Sequence, residues 1–337
     1  MEEIVPGVYR MVLPLKTDNS LFSSKATVNS YLLRGRDGCM LIDLGWNTRE
    51  VLAALNMHFE ELGLGWNDIT RIVFTHLHPD HYGIAGRIRE FCPAPHAAHR
   101  EDVRFYGKEY SRTAEEITQD ESRLLKRNGV PVEYWKGQID FTLESLHLVR
   151  FLMPETLPED GDVIDFPPFR LRVIWTPGHA PGQVCLYEPG LKLLFIGDHI
   201  VETNIPPIAF LPNYAEDFNP MALYTNSLRS LETGLDGAQV LPAHGRPFSD
   251  LKSHIRRIIS TLEQRDARLI EVLGDQELNS FEVAKLVNRG KSWEDMQIIE
   301  RRWLMVDTLS RLHSLYLSGR MERVFHDDVV SYRRSSV

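Results

Sequence analysis

The first part of the chain is a series of short apolar segments interrupted by one helical pattern. Apolar, aromatic and β-branched residues cluster between Gly, Asp or Asn, a pattern that predicts β-strands. These strands are expected over 7–13, 28–35 and 39–45. Between 48 and 62 the apolar residues recur at helical spacing, and Thr48 is a suitable N-cap, so a helix is predicted there.

A predominantly apolar segment, 69–76, then predicts a buried strand. A polar loop follows it, and residues 82–91 have the pattern of a helix. Strand, polar loop and helix in this order are typical of α/β folds, in which functional sites lie at the carboxyl ends of strands.

The middle of the chain returns to strand patterns after a polar segment. Strands are predicted over 146–153, 162–178, 182–190, 192–198 and 238–245. The proline-rich segment 203–220 predicts a long loop, and a helix is expected near 221–233.

Residues 100–147 differ from their surroundings because they are polar, compatible with helix and rich in aromatic residues. They predict a helical insertion that covers the site and forms an apolar pocket for an acyl or aromatic group. The aromatic residues concerned are Phe105, Tyr106, Tyr110, Tyr134, Trp135 and Phe141.

The composition changes again after residue 245. Helices are predicted over 250–273, 280–290 and 294–321, the second capped by Ser280, and a hairpin over 322–334. Helices followed by a hairpin suggest a small winged-helix-like domain. The predicted organisation is therefore a catalytic domain over 1–250, with its insertion at about 100–147, and a C-terminal domain over 251–337.

Composition and charge narrow the function classes. The 337 residues carry a formal net charge of −9, which argues against a general nucleic-acid or anionic-membrane surface. Three distant cysteines without a CxxC spacing indicate buried reduced thiols. We expect a cytoplasmic protein, because the sequence shows neither a signal-peptide pattern nor a long apolar segment.

The candidate chemistry lies in the segment FTHLHPDHYG at 74–83. It places His76, His78, Asp80 and His81 directly after the apolar strand, and imidazole and carboxylate are ligands for zinc, iron or manganese. Three more metal-competent residues follow apolar strands later in the chain: His179, Asp198 and His244. Strand ends that meet at one sheet edge predict a metal site with two ions.

This set of residues resembles the metallo-β-lactamase superfamily, in both residue type and order. The resemblance implies an α/β fold, the αββα sandwich, over about residues 1–250. It also implies that His76, His78 and His179 bind a first metal ion, that Asp80, His81 and His244 bind a second, and that Asp198 bridges them. The segment LIDLG at 41–45 matches as well and implies that Asp43 supports a ligand.

The aspartate at position 198 is informative within this superfamily. True β-lactamases of the fold usually have cysteine there, whereas Asp198 resembles the ligand set of glyoxalase II. The C-terminal layout looks like the β-lactamase-like protein 2 group, whose relatives include thioesterases. The resemblance implies two divalent metal ions, zinc or alternatively iron or manganese, and a metal-bridging hydroxide that hydrolyses a thioester such as an acyl-CoA. Asp80 and Asp198 would serve catalysis, with Asp80 relaying a proton to the leaving group.

Other activities stay open at this point. A single-stranded RNA endonuclease or phosphodiesterase, a lactonase, and a nucleic-acid-binding regulator are the alternatives, although the acidic charge disfavours nucleic acid. Phe210, Tyr214 and Arg246 are candidate contacts to a small-molecule substrate. The C-terminal helices could form a homodimer, and no membrane partner is expected.

Overall fold

The computed structural model describes residues 1–15, 26–202, 205–288 and 290–335. The chain forms two compact units, each built from three segments. The first unit contains Met1–Ser111, Ser145–Pro206 and Ser230–Lys252. The second unit contains Arg112–Glu144, Pro207–Arg229 and Ser253–Val337. A single boundary at residue 250 therefore does not describe these compact units, because two earlier segments belong with the C-terminal one.

The first sheet of the first unit has the strand order β1-β2-β3-β4-β5-β6. Its strands are β1 (Glu2–Val5), β2 (Val8–Pro14), β3 (Thr27–Arg34), β4 (Cys39–Ile42), β5 (Ile69–Val73) and β6 (His96–Ala97). The pairs from β1 to β4 are antiparallel, whereas β4, β5 and β6 run parallel.

The second sheet has the order β11-β10-β9-β8-β7. Its strands are β7 (Val163–Phe166), β8 (Phe169–Trp175), β9 (Val184–Glu188), β10 (Leu193–Gly197) and β11 (Gln239–Pro242). Only β10 and β11 are parallel to each other among these pairs.

Two layers of apolar side chains hold the first unit together. One layer lies between the sheets, where Leu33 and Ile42 of the first sheet share a cluster with Leu171 and Phe195 of the second. The other covers the opposite face of the first sheet with helices. These helices are α1 (Arg49–Glu61), α2 (Pro79–Tyr82), α3 (Ala85–Ile88) and α4 (Arg100–Glu109), with a 3₁₀ turn at Trp66–Asp68. As predicted, Thr48 caps α1 by accepting a hydrogen bond from the Val51 amide.

Three secondary-structure predictions in this unit are wrong. The single strand predicted over 162–178 is two antiparallel strands, β7 and β8, because the chain turns at the two prolines Pro167 and Pro168. The helix predicted over 82–91 is divided into the short helices α2 and α3. The strand predicted over 146–153 does not form, because its backbone pairs with these helices: the Arg150 amide donates to Gly83, and the Gly86 amide donates to Arg150. A Cβ on Gly86 would lie 2.4 Å from the Arg150 carbonyl oxygen, so this approach requires glycine.

The second unit contains most of the helices. They are α5 (Ala114–Arg127), α6 (Trp135–His147), α7 (Pro220–Leu231), α8 (Leu251–Leu273), α9 (Ser280–Val287) and α10 (Ile298–Leu317), with a 3₁₀ turn at Val132–Tyr134. A small antiparallel sheet has the order β12-β14-β13, with β12 at Leu278–Asn279, β13 at Met321–His326 and β14 at Val329–Arg334. The predicted hairpin is thus confirmed, whereas the cap of α9 is Asn279 and not Ser280.

The insertion helices α5 and α6 pack within this second unit. Leu125 and Ile139 share an apolar cluster with Phe281 of α9 and Met305 of α10. The winged-helix assignment of the C-terminal segment stays a prediction. Of the helices that the structure describes, none is long and apolar enough to cross a membrane. All three cysteines are buried and free, as expected.

Candidate metal centre

The predicted ligand residues follow the carboxyl ends of four strands. His76 and His78 follow β5, Asp80 and His81 lie on α2, His179 lies between β8 and β9, Asp198 follows β10 and His244 follows β11. Helix α2 begins at Pro79, a residue suited to the first helical position, and this start places Asp80 and His81 in its single turn.

Glycines allow two of these turns. Gly197, before Asp198, has φ 55°, and a Cβ there would lie 2.7 Å from the Thr75 hydroxyl oxygen. Gly178, before His179, has φ 143°. Both backbones are in the region that favours glycine, so substitution at either position would displace a candidate ligand.

The seven side chains come together in two groups. His76, His78 and His179 form the three-histidine group, and Asp80, His81, Asp198 and His244 form the four-residue group. Within each group the ligand atoms lie within 4.8 Å of one another.

Asp198, a member of the four-residue group, also lies close to the three-histidine group. Its Oδ2 is 3.5 Å from His179 Nε2 in the three-histidine group and 3.4 Å from His244 Nε2 in the four-residue group. Its Oδ1 is 3.5 Å from His81 Nε2. The carboxylate of Asp198 thus faces histidine nitrogens of both groups.

Four of the histidines have their outer ring nitrogen fixed by a neighbour. His76 Nδ1 lies 3.2 Å from the Thr75 hydroxyl, and His244 Nδ1 donates to the Thr27 carbonyl at 2.8 Å. His78 Nε2 lies 2.7 Å from the Tyr106 hydroxyl. Such partners set the tautomer and leave the other nitrogen for a metal ion.

The fourth partner is Asp43, which the sequence predicted as a supporting residue. Its Oδ2 lies 2.9 Å from His81 Nδ1 and accepts from the Thr75 hydroxyl at 2.8 Å. Its Oδ1 accepts from the Thr75 amide at 2.9 Å. Because Thr75 in turn contacts His76, this one carboxylate supports a histidine of each group.

The two groups differ in their preference for positive charge. Burial and the neighbouring histidines hold the pKa of His76 well below its usual value and lower that of His78 to about 3, so their nitrogen lone pairs stay free. Burial opposes charge on His81, but Asp80 and Asp198 outweigh it and raise its pKa to about 10. The four-residue group therefore attracts cations.

These residues fit metal ions. Within the described part of the chain, His81 Nε2 and Asp198 Oδ1 are buried atoms without a hydrogen-bond partner. Leaving buried polar atoms unpaired is costly, and a cation between them would satisfy both. Neutral imidazoles and carboxylates are also the donors that divalent first-row metals bind.

One supporting element was not recognised from the sequence. Helix α4 directs Asp102 and Tyr106 at the loop that carries His76 and His78, and the Tyr110 side chain at its C-cap reaches the same loop. The usable signal was their spacing of four residues, which places all three on one helix face.

The other insertion aromatics serve a different core. Tyr134 and Trp135 pack with the apolar cluster of the second unit, and the Arg302 guanidinium lies 5.3 Å from the centre of the Phe141 ring.

The predicted substrate contacts occupy different surroundings. In the second unit, Phe210 packs against Tyr214, with ring centres 6.0 Å apart, and against His313 at 4.0 Å. Arg246 is exposed in the first unit, and its amide donates to Glu202. Their contact with substrate stays a prediction.

Comparison with known proteins now decides the family. The family model for the metallo-beta-lactamase superfamily matches residues 25–244. The chain belongs to this superfamily. The predicted mixed α/β sandwich is therefore confirmed, and the protein is a metallo-hydrolase of the metallo-beta-lactamase superfamily.

Solved structures agree with this assignment. The metallo-beta-lactamase family protein TTHA1429 from Thermus thermophilus matches 98% of this chain and 100% of its own, with a TM-score of 0.80 and 28% identity. A beta-lactamase domain protein from Burkholderia ambifaria has the same fold, with a TM-score of 0.81, 23% identity and matches over 99% of this chain and 93% of its own.

Two curated relatives of this protein have names that state a function. The probable metallo-hydrolase YqjP of Bacillus subtilis is 23% identical over 76% of this chain and 78% of its own length. The acyl-coenzyme A thioesterase MBLAC2 of Gallus gallus is 27% identical over 67% of this chain and 76% of its own length.

Proposed function

We propose that the protein is a hydrolase with two divalent metal ions that cleaves a thioester, with acyl-CoA as the first substrate class to test. The observation that carries the proposal is that the Asp198 carboxylate faces histidine nitrogens of both ligand groups. Two adjacent metal ions would supply an activated water and a Lewis acid for the acyl oxygen. Zinc is the first metal to test, with iron and manganese next.

The reaction adds a water oxygen to the acyl carbon and breaks the carbon–sulfur bond, giving a carboxylic acid and a thiol. A thiol has a pKa near 8.5, so the leaving sulfur departs largely as the thiolate and needs little acid catalysis. Burial opposes ionisation of Asp80, but His81 and His244 outweigh it and lower its pKa to about 2. Asp80 is therefore ionised at neutral pH and is not the proton donor in this proposal, and a thiolate leaving group does not require one.

The chain's own residues have separable tasks in this proposal. Asp198 orients the side chains of both groups, and Asp43 keeps His81 Nδ1 protonated so that its Nε2 faces the site. Asp80 Oδ2 lies 3.2 Å from His244 Nε2. Asp80 is the more exposed carboxylate of the group, with 22% of its side chain accessible against 10% for Asp198, so it is the carboxylate closer to solvent.

The thioesterase relatives support the substrate class. MBLAC2 from Gallus gallus aligns with two thirds of this chain, and its name specifies acyl-coenzyme A. We also propose that the protein acts on small molecules rather than nucleic acid. In support, Arg301 donates to the carbonyls of Trp293 and Glu294, and Arg302 pairs with the buried Glu121 at 3.3 Å. These arginines of α10 are thus engaged within the second unit.

The test is thiol release from a panel of acyl-CoA and acyl-glutathione thioesters, with the metal content of each preparation measured. We expect metal-dependent release with at least one acyl class, and its loss in the Asp198→Ala variant. His147→Ala is the matched control, because His147 is an exposed histidine at the end of α6 and outside both ligand groups.

Failure on the panel would redirect the assignment within the superfamily. If metal-loaded protein releases no thiol, the thioesterase proposal is wrong, and lactones and single-stranded RNA are the next substrates to assay. Salt-dependent RNA binding with metal-dependent cleavage would contradict the small-molecule proposal.

A further inference from the structure

One face of α4 is built against the loop that carries two of the histidines. Asp102, Tyr106 and Tyr110 are spaced four residues apart, and side chains at this spacing lie above one another on a helix. We name these three residues the α4 stripe. Each makes a polar contact to the segment His76–His78.

Asp102 joins two ligand loops. Its Oδ2 accepts from the Leu77 amide at 2.7 Å, and its Oδ1 accepts from the Gly182 amide, three residues after His179. The carboxylate is fully buried. A Cβ on Gly182 would lie 2.4 Å from the Asp102 amide nitrogen, so the two segments meet where no side chain fits. Asp102 therefore fixes the loop of His78 relative to the loop of His179.

The two tyrosines complete this contact. The Tyr106 hydroxyl lies 2.7 Å from His78 Nε2, and the Tyr110 hydroxyl donates to the Leu77 carbonyl. With Nε2 held in this way, His78 Nδ1 points inward and lies 3.0 Å from His76 Nε2. The α4 stripe thus contacts the segment His76–His78 at three groups: the Leu77 amide, the Leu77 carbonyl and the His78 imidazole.

The stripe itself is anchored. His99 caps α4 by accepting from the Glu101 amide at 3.3 Å, and its ring stacks on Trp175. Trp175 Nε1 in turn donates to the Pro181 carbonyl at 2.9 Å, in the His179 loop. Tyr110 stacks on Tyr106, with ring centres 5.7 Å apart. Because the helix is already held in place, it can fix the position of the loop that carries His76 and His78.

All of these contacts fall on the three-histidine group. The four-residue group makes no hydrogen bond with the α4 stripe among the described residues and is supported by Asp43, which also reaches His76 through Thr75, and by the Thr27 carbonyl. We propose that Asp102, Tyr106 and Tyr110 are positioning residues that set the metal affinity of the three-histidine group, while leaving that of the four-residue group unchanged. The inference rests on the proposed function only in requiring that the chain binds metal.

The test measures zinc affinity and uses no substrate. Zinc is titrated against a competing chelator in two backgrounds that each keep one group complete. His244→Ala weakens zinc binding at the four-residue group, so the tightest zinc binding measured in this background is that of the three-histidine group. His179→Ala does the reverse. Adding Tyr106→Phe is expected to lower zinc affinity about 10–100-fold in the His244→Ala background and to leave it unchanged in the His179→Ala background.

Tyr82→Phe is the matched control. Tyr82 stacks on Tyr110 in the same aromatic cluster, but its hydroxyl bonds to the backbone of Leu152 and not to a ligand loop. Zinc affinity is expected to be retained in this variant. An equal loss of zinc affinity in Tyr82→Phe, or an unchanged affinity in His244→Ala with Tyr106→Phe, would overturn the inference.

A second variant guards against misfolding. If Tyr106→Phe does not fold, Asp102→Asn is measured in the same two backgrounds, because an amide cannot accept from both the Leu77 and Gly182 amides through two oxygens. Equal zinc affinity with and without this substitution would also overturn the inference. Wild-type protein that binds no zinc, iron or manganese would overturn the proposed function as well, so the two failures are distinguishable.

Discussion

The Asp43→Asn substitution tests the support beneath both ligand groups. Asp43 is buried, adopts φ 60° and accepts three hydrogen bonds, two from Thr75 and one from His81. Asparagine tolerates this backbone conformation and has the same shape. Its amide, however, offers one oxygen where the carboxylate offers two, so the three donors cannot all be accepted.

Either orientation of the amide has a cost. If its NH₂ group faces His81, the imidazole must shift its proton to Nε2, which can then no longer bind metal. If its NH₂ group faces the Thr75 amide, a buried donor loses its acceptor. A hydrogen bond to a charged group contributes about 1.5–3 kcal/mol, and we expect a loss of stability of that size. We also expect zinc affinity to fall about 10–100-fold.

The assay combines urea unfolding of chelator-treated protein at neutral pH with competition titration of zinc. Asp165→Asn is the control, because this aspartate of β7 has 69% of its side chain exposed and contacts no ligand. If Asp43→Asn keeps wild-type stability and wild-type zinc affinity, the reasoning about this carboxylate is wrong.

Three further predictions address the site and the second unit. Asp80→Ala and His81→Ala should each lower the rate of thioester hydrolysis about 100-fold or more, while circular dichroism shows an intact fold. Removing a metal ligand should cost more activity than removing a residue that supports one. Normal turnover with the metal content measured would contradict a two-ion site. Glu121→Ala should lower the free energy of unfolding in urea by about 3 kcal/mol, since it removes the buried carboxylate that pairs with Arg302. His313 accepts a hydrogen bond from Arg323 and donates one to the Phe218 carbonyl. Burial and then the positive charge of Arg323 lower its pKa to about 4, and the opposing effect of Glu216 is smaller. The folded chain therefore resists protonation of His313. The free energy of unfolding in urea should fall by about 3 kcal/mol as the pH drops from 6.5 to 4, and it should fall by less in His313→Gln.

Much of the first unit could be predicted because its strands have clear patterns, either apolar throughout, as in β10, or alternating between buried and exposed positions, as in β8. The predominantly apolar segments 69–76 and 192–198 appear in the structure as β5 and β10. The segment 146–153 was misassigned because apolar residues that pack against irregular backbone have the same pattern as an edge strand. Its true partners, Gly83 and Gly86, are distant in sequence, and no local pattern identifies them.

The ligand residues were accessible from the sequence for a related reason. Each is a polar residue placed directly after an apolar strand, where packing does not account for it. The α4 stripe was harder to recognise, because Asp102 and Tyr106 lie in a polar helix where such residues are common and their spacing alone does not show what they contact. Only the position of the helix gives them partners, and that position depends on Gly182 and Trp175 far along the chain.

The alternation of the chain between the two units has a consequence for synthesis on the ribosome. Domains generally fold as units, starting from the N-terminus as the chain emerges. Residues Arg112–Glu144 belong to a unit whose last segment, Ser253–Val337, emerges only at the end of translation. Until then the apolar faces of α5 and α6 lack the α9 and α10 residues that bury them. A nascent chain stalled near residue 250 should therefore expose these faces to chaperones and proteases, and termination at that position should yield an aggregation-prone product rather than a free catalytic domain.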